Sequence, residues 1–173
     1  GGTQSNLGGI TVNVTVFRVD DRLIHGQIVT AWLAHADAKQ IVCADDKAAK
    51  DDLQKMLLQM ATPKGVKLHL VTIEEAKALL SSDTSDLKTL LLVRGTNEAA
   101  DLLPLLPKLK SVNIGNLNMK TGKKKILPNV WVDEQDVAGF KKMQVFGKEV
   151  EVRAVPNDKS QNIYDLLAKD SLI

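Results

Sequence analysis

An open, mostly parallel twisted sheet with helices on both faces is the fold class this sequence predicts, and three observations carry it. Short continuous apolar runs recur along the chain, as at Ile41-Val42-Cys43-Ala44 and Leu90-Leu91-Leu92-Val93, which marks strands buried on both faces. Between them lie segments whose apolar residues fall at helical spacing. Cap or turn residues separate the two kinds of segment, so strand and helix alternate.

The elements follow in order. Val12, Val14, Val16 and Phe17 predict the first strand, and the loop from Arg18 to His25 follows it. Residues 26–36 read as a helix, with Ile28, Val29, Trp32 and Leu33 on one face. The second strand is residues 40–44. Asp45-Asp46 ends it, with Asp46 expected to cap one helix running to about Met60, and Leu53, Met56, Leu57 and Met60 inward. Pro63 and Gly65 stop that helix.

Residues 66–71 predict the third strand, with His69 alternating with Leu68 and Leu70 as a surface or helix-packing residue. Thr72 and Glu75 form a capping box for a helix ending near Leu80. A polar loop over 81–86 precedes the fourth strand, residues 90–93. Arg94-Gly95-Thr96-Asn97 then leads to a helix expected to be irregular at Pro104 and ended by Pro107. Residues 112–115 are the fifth strand.

Beyond it, residues 116–128 are polar and basic without clear period. Val130-Trp131-Val132 predicts a short strand, and Asp133 opens a helix with Val137, Phe140 and Met143 inward. Residues 149–155 alternate strictly, with Val150, Val152 and Ala154 facing in and Glu149, Glu151 and Arg153 facing out. This predicts an edge strand wet on one side. A last helix is expected over 160–167.

The chain of 173 residues carries a net charge of +2, which gives no strong field for nucleic acid. One cysteine, Cys43, excludes an internal disulfide and reads as cytosolic. No apolar run approaches the ~20 residues of a membrane helix. Residues 1–9, polar and Gly-rich, read as a tag remnant or frayed tail, leaving 10–173 as one domain. The sequence holds no P-loop, no GxGxxG after a strand, no HExxH and no CxxC.

Right-handed crossovers place every strand-to-helix loop at one edge of such a sheet, where its ligands bind. His25, Asp45-Asp46, Thr72, Arg94-Gly95 and Gly115-Asn116 are therefore expected on a common rim. Among them His25 stands out. It lies in a loop at the mouth of a helix, where free N–H groups favour an anion. Imidazole is a competent nucleophile near neutral pH. Arg22 and Arg18 flank it, and a guanidinium holds phosphate through paired hydrogen bonds. Gly26 allows close backbone approach, and with Gln27 it completes the candidate phosphate-binding set.

Asp20 and Asp21 have two readings: orienting the ring, or pairing with Arg18 or Arg22. Asp45-Asp46 also has two, a Mg²⁺-dependent aspartyl-phosphate site or a helix cap with a rim carboxylate. Arg94 either binds an anion or pairs with a rim carboxylate. His35 reads as a helix C-terminal dipole partner. The run Lys123-Lys124-Lys125 reads as a solvated loop or a docking site for an acidic or membrane-associated partner.

Residues 17–27, Phe-Arg-Val-Asp-Asp-Arg-Leu-Ile-His-Gly-Gln, resemble the signature of the enzyme IIB component of the mannose/fructose/sorbose class of the bacterial phosphotransferase system. The likeness continues through residues 44–60, 90–94, 113–115, 132–134 and 155–160. It implies that a IIA partner carrying phosphohistidine passes its phosphoryl group to His25, on Nδ1. It further implies that Arg22 steadies the phosphate, and that membrane-embedded IIC and IID components hold the sugar that finally receives it. No metal or organic cofactor is implied. The implied setting is the cytoplasm, peripheral to the membrane permease. Two departures stand out. Many relatives carry Gly-Gly-Met where this chain has Gly115-Asn116-Leu117, and many have Asn at Asp45. A Mg²⁺-dependent phosphatase or receiver-like domain using Asp45 or Asp46, and a non-catalytic binding module, are the competing readings.

Overall fold

The computed structural model describes residues 9–81 and 86–173. The tail reading of residues 1–9 therefore lies, except for Gly9, outside the described residues, as does most of the polar loop over 81–86. The chain alternates strand and helix as expected. Strand β1 (Asn13–Asp20) leads to α1 (Gly26–Ala36), and β2 (Gln40–Ala44) to α2 (Asp46–Ala49) and α3 (Asp52–Ala61). Strand β3 (Lys67–Val71) precedes α4 (Ile73–Leu80), and β4 (Lys88–Val93) precedes α5 (Thr96–Leu102), which tightens into a 3₁₀ turn at Leu103–Leu105. Then come β5 (Ser111–Asn116), the hairpin β6 (Lys124–Leu127) and β7 (Val130–Val132), α6 (Glu134–Gln144), β8 (Glu149–Val152), β9 (Gln161–Asn162) and α7 (Ile163–Lys169).

Seven strands form one sheet in the order β3-β2-β4-β1-β5-β8-β9. Every pair is parallel except β8 with β9. From β1 the chain crosses toward β2 on one side, and from β5 it crosses toward β8 on the other. The carboxyl ends of these two neighbours are thus the point of divergence where such sheets bind ligands.

Apolar side chains fill both faces. On one, Val29, Trp32 and Leu33 of α1 and Leu58 of α3 pack on Ile41, Cys43, Leu90 and Leu92. On the other, residues of α4 to α7, including Leu79, Leu102, Phe140 and Leu167, pack on Phe17, Val42, Leu91 and Val93. Burial raises the Cys43 thiol to about 12, so it is an inert core residue.

Five local expectations are corrected. The helix expected from Asp46 to Met60 is two helices, because the Asp51 carboxylate caps a fresh start by accepting from the Leu53 and Gln54 amides. In α3, Leu53, Met56, Leu57 and Met60 face outward, each more than half exposed, while Leu58 is buried. The Gln54 side chain, held by Asp51 and accepting from Arg94, turns the 54–58–61 side of the helix to the protein. The strand expected over 149–155 stops at Val152 and is not the sheet edge, since β9 covers it. Its outward residue Glu151 is buried, bound to Asn113 and Arg153. The last helix starts at Ile163, where Asn162 caps it. Finally, Lys123 is no solvated docking residue: its ammonium is bound to Asp136 at 2.8 Å and largely covered.

Candidate functional site

Pairing places the rim residues at one level. Val71, Ala44, Val93, Val19 and Ile114 lie side by side across β3, β2, β4, β1 and β5. The next residue on each strand is Thr72, Asp45, Arg94, Asp20 or Gly115, and the His25 loop leaves from this row. The expected common rim is thus what the register produces.

His25 occupies the N-cap position of α1, with extended backbone and no side-chain cap bond. Its carbonyl accepts from the Ile28 and Val29 amides. Its ring is exposed and makes no hydrogen bond among the described residues. The loop is wound tightly around it. The Leu23 amide donates to the Asp20 carbonyl at 2.9 Å, and Leu23 and Gly26 both take positive φ, +61° and +45°. Burial of the Leu23 side chain holds that conformation against its cost. At Gly26 the conformation itself calls for glycine, although a Cβ would meet nothing. Gln27 is exposed in the first turn. The amides of Gly26 and Gln27 donate to nothing among the described residues, so they stand open at the helix N-terminus beside the ring.

Beneath the loop lies a buried polar chain. The Asp20 carboxylate, 1 % exposed, accepts four hydrogen bonds. One oxygen takes the Arg22 amide (2.9 Å) and Nε (3.0 Å), and the other takes Nη2 of Arg22 (2.9 Å) and Nη2 of Arg18 (3.1 Å). The side-chain bonds from Arg22 to Asp20 raise the pKa of Arg22. Nη1 of Arg22 is bound to nothing among the described residues, and the side chain is 29 % exposed.

Arg18 goes the other way. It is 2 % exposed and spends its guanidinium on Asn113 Oδ1, Asp20, and the carbonyls of Arg153 and Ala154. Trp32 stacks on it, with the guanidinium carbon 4.9 Å from the ring centroid, and donates its indole N–H to the Ala154 carbonyl. Burial lowers the Arg18 pKa to about 10 despite Asp20. The placement of Arg18 in the phosphate-binding set is therefore corrected: the alternation of β1 turns it under the sheet face, and its donors are used there. Gly115, expected at the rim, is the floor on which Arg18 lies. A Cβ there would run into the guanidinium.

The remaining rim residues buttress. Arg94 takes the carboxylate reading: it pairs with Asp45 at 3.3 Å and donates through Nη1 to the Asp21 carbonyl at 2.8 Å. Asp45, not Asp46, caps α2 through the Ala48 amide, while Asp46 accepts from the Ile73 amide. Both aspartates are thus committed to holding the rim. Asp21 accepts from Asn116 Nδ2 and the Asn118 amide, so neither Asp20 nor Asp21 orients the His25 ring. Thr72 completes its capping box with Glu75. His35 is in the last turn of α1, edge-on to Trp32.

Asn113, Glu151, Arg153 and Trp32 were not singled out from the sequence. A signal existed for Asn113, a polar residue between Val112 and Ile114 in a buried strand. Glu151 and Arg153 gave none, since alternation there reads as a wet face.

An exposed imidazole on the mouth of a helix, three residues along the chain from a half-free guanidinium, at the divergence of a doubly wound sheet, fits a class of protein that works on an open surface rather than in an enclosed active site. The comparisons with known proteins say which class. Residues 14–173 match the family model of the PTS system sorbose subfamily IIB component, and the chain belongs to that family. It is 36 % identical over 157 residues to the sorbose-specific EIIB component of Lacticaseibacillus casei, covering 90 % of this chain and 94 % of that protein. It is 31 % identical to the fructose-specific EIIB component of Bacillus subtilis, over 90 % of this chain and 96 % of that one. The crystal structure of the IIBSor domain of the Klebsiella pneumoniae sorbose permease superposes with a TM-score of 0.84 at 30 % identity, covering 91 % of this chain and 97 % of that one. IIB components of this class are phosphotransferases that take a phosphoryl group from IIA and pass it to sugar. They work with IIA and membrane IIC and IID partners. No helix among the described residues is long and apolar enough to cross a membrane.

Proposed function

We propose that His25 is the residue that carries the phosphoryl group, receiving it from a phosphorylated IIA protein and giving it to a sugar held by membrane IIC and IID components, to which this chain binds peripherally. The exposed ring of His25, with neither nitrogen engaged, is the observation that carries this reading. Two successive partners must reach the same atom, and an exposed loop serves both. In the first transfer a neutral imidazole attacks phosphorus through Nδ1. The donor's N–P bond breaks as the new one forms, and each ring keeps the proton on its other nitrogen, so no net proton moves. Arg22 and the open Gly26 and Gln27 amides supply positive charge around the transferred group. Such transfer relies on positioning and charge neutralisation.

The test is incubation with a phosphorylated IIA protein of this family. His25→Ala is expected to take up no phosphate while unfolding at the wild-type temperature, since the ring is exposed and makes no hydrogen bond among the described residues. Transfer to that variant at the wild-type rate would overturn the assignment.

A further inference from the structure

We propose that Asp20 is a positioning residue for phosphoryl transfer: it grips the side-on edge of the Arg22 guanidinium, while buried Arg18 offsets its charge so that Arg22 keeps a net positive charge for phosphate. The proposal rests on His25 as the carrier and names what prepares its partner. The geometry is specific. Asp20 takes Arg22 through Nε and Nη2, which fixes the plane of the fork and leaves the end-on edge, Nη1 with the second hydrogen of Nη2, to bind two phosphate oxygens.

A carboxylate alone in that place would cancel the charge it orients. Here one carboxylate lies between two guanidiniums, so the group of three carries one surplus positive charge. Arg18 cannot itself meet the phosphate, because Asn113, two carbonyls and the Trp32 ring enclose it. The surplus is expressed at Arg22, the only exposed member of the three. Rigidity comes from the same source. Asp20 also accepts the Arg22 amide, so backbone and side chain of Arg22 are held by one group that solvent does not reach.

Single-turnover transfer from a phosphorylated IIA protein tests this with Asp20→Asn, Arg22→Ala and the double variant. Asp20→Asn is expected to lower the maximal rate about tenfold, the scale of one charge-assisted hydrogen bond, with half-saturating IIA nearly unchanged. In the Arg22→Ala background the same change is expected to slow transfer no further. A purely structural role would slow both backgrounds alike, and that result overturns the proposal. Should Asp20→Asn fail to fold, Arg22→Lys decides: it keeps the charge but loses the fork, and is expected to transfer more slowly than wild type yet faster than Arg22→Ala. Wild-type transfer by Arg22→Lys overturns the proposal. Phosphate found on a residue other than His25 would instead refute the carrier assignment.

Discussion

At Gly115 there is no room for a methyl group. The Arg18 guanidinium lies on the bare backbone, and Trp32 closes it from above. Gly115→Ala is expected to push Arg18 off Asp20 and Asn113 and to destabilise the protein by about 3 kcal/mol, measured by urea unfolding. His69 offers a separate test. Its pKa is lowered from 6.5 by burial and then by Lys67, and its Nε2 pairs with Gln40 Oε1 at 2.9 Å. Because Gln40 donates its amide to Thr11 and Thr89, that Oε1 accepts and His69 Nε2 donates. The unfolded chain therefore binds the His69 proton at higher pH than the folded one. The resulting stability is present above pH 6.5 and is lost as pH falls through the folded pKa. Unfolding at pH 5 and pH 7 should show a drop on acidification that shrinks in His69→Gln.

The elements show where a sequence speaks and where it does not. Continuous apolar runs place β2 and β4, and the capping box of Thr72 and Glu75 places α4, because these signals are local. The rim follows from strand–helix alternation alone, which is why His25, Asp45, Thr72, Arg94 and Gly115 come together as expected. Helix α3 is different. Leu53, Met56, Leu57 and Met60 form a stripe at helical spacing, yet Leu58 is the residue that meets the sheet. Periodicity identifies a helix but not which side packs, and here a cap at Asp51 and a tether at Gln54 decide it. Leu58→Ala is expected to cost about 2–4 kcal/mol, and Leu57→Ser to change stability by no more than about 0.5 kcal/mol, both read by denaturant unfolding. The inward turn of Glu151 and Arg153 was illegible for a related reason. Alternation cannot tell water from a buried partner such as Asn113 on the neighbouring strand.

Across the whole molecule, parallel strands carry charged side chains to one edge, and the sheet beneath is built to hold them still. Arg94 ties Asp45 to the His25 loop, and Asp20 ties that loop to Arg18 and the segment after β8. The ring itself is left out of this network and exposed, as a carrier passing a group between two partners requires. Mass mapping of the protein after incubation with a phosphorylated IIA protein tests this most directly. The account predicts one phosphate, on His25, lost in acid and retained in alkali. Phosphate on Asp45 or Asp46, labile in alkali, or none at all on a folded protein, would contradict it.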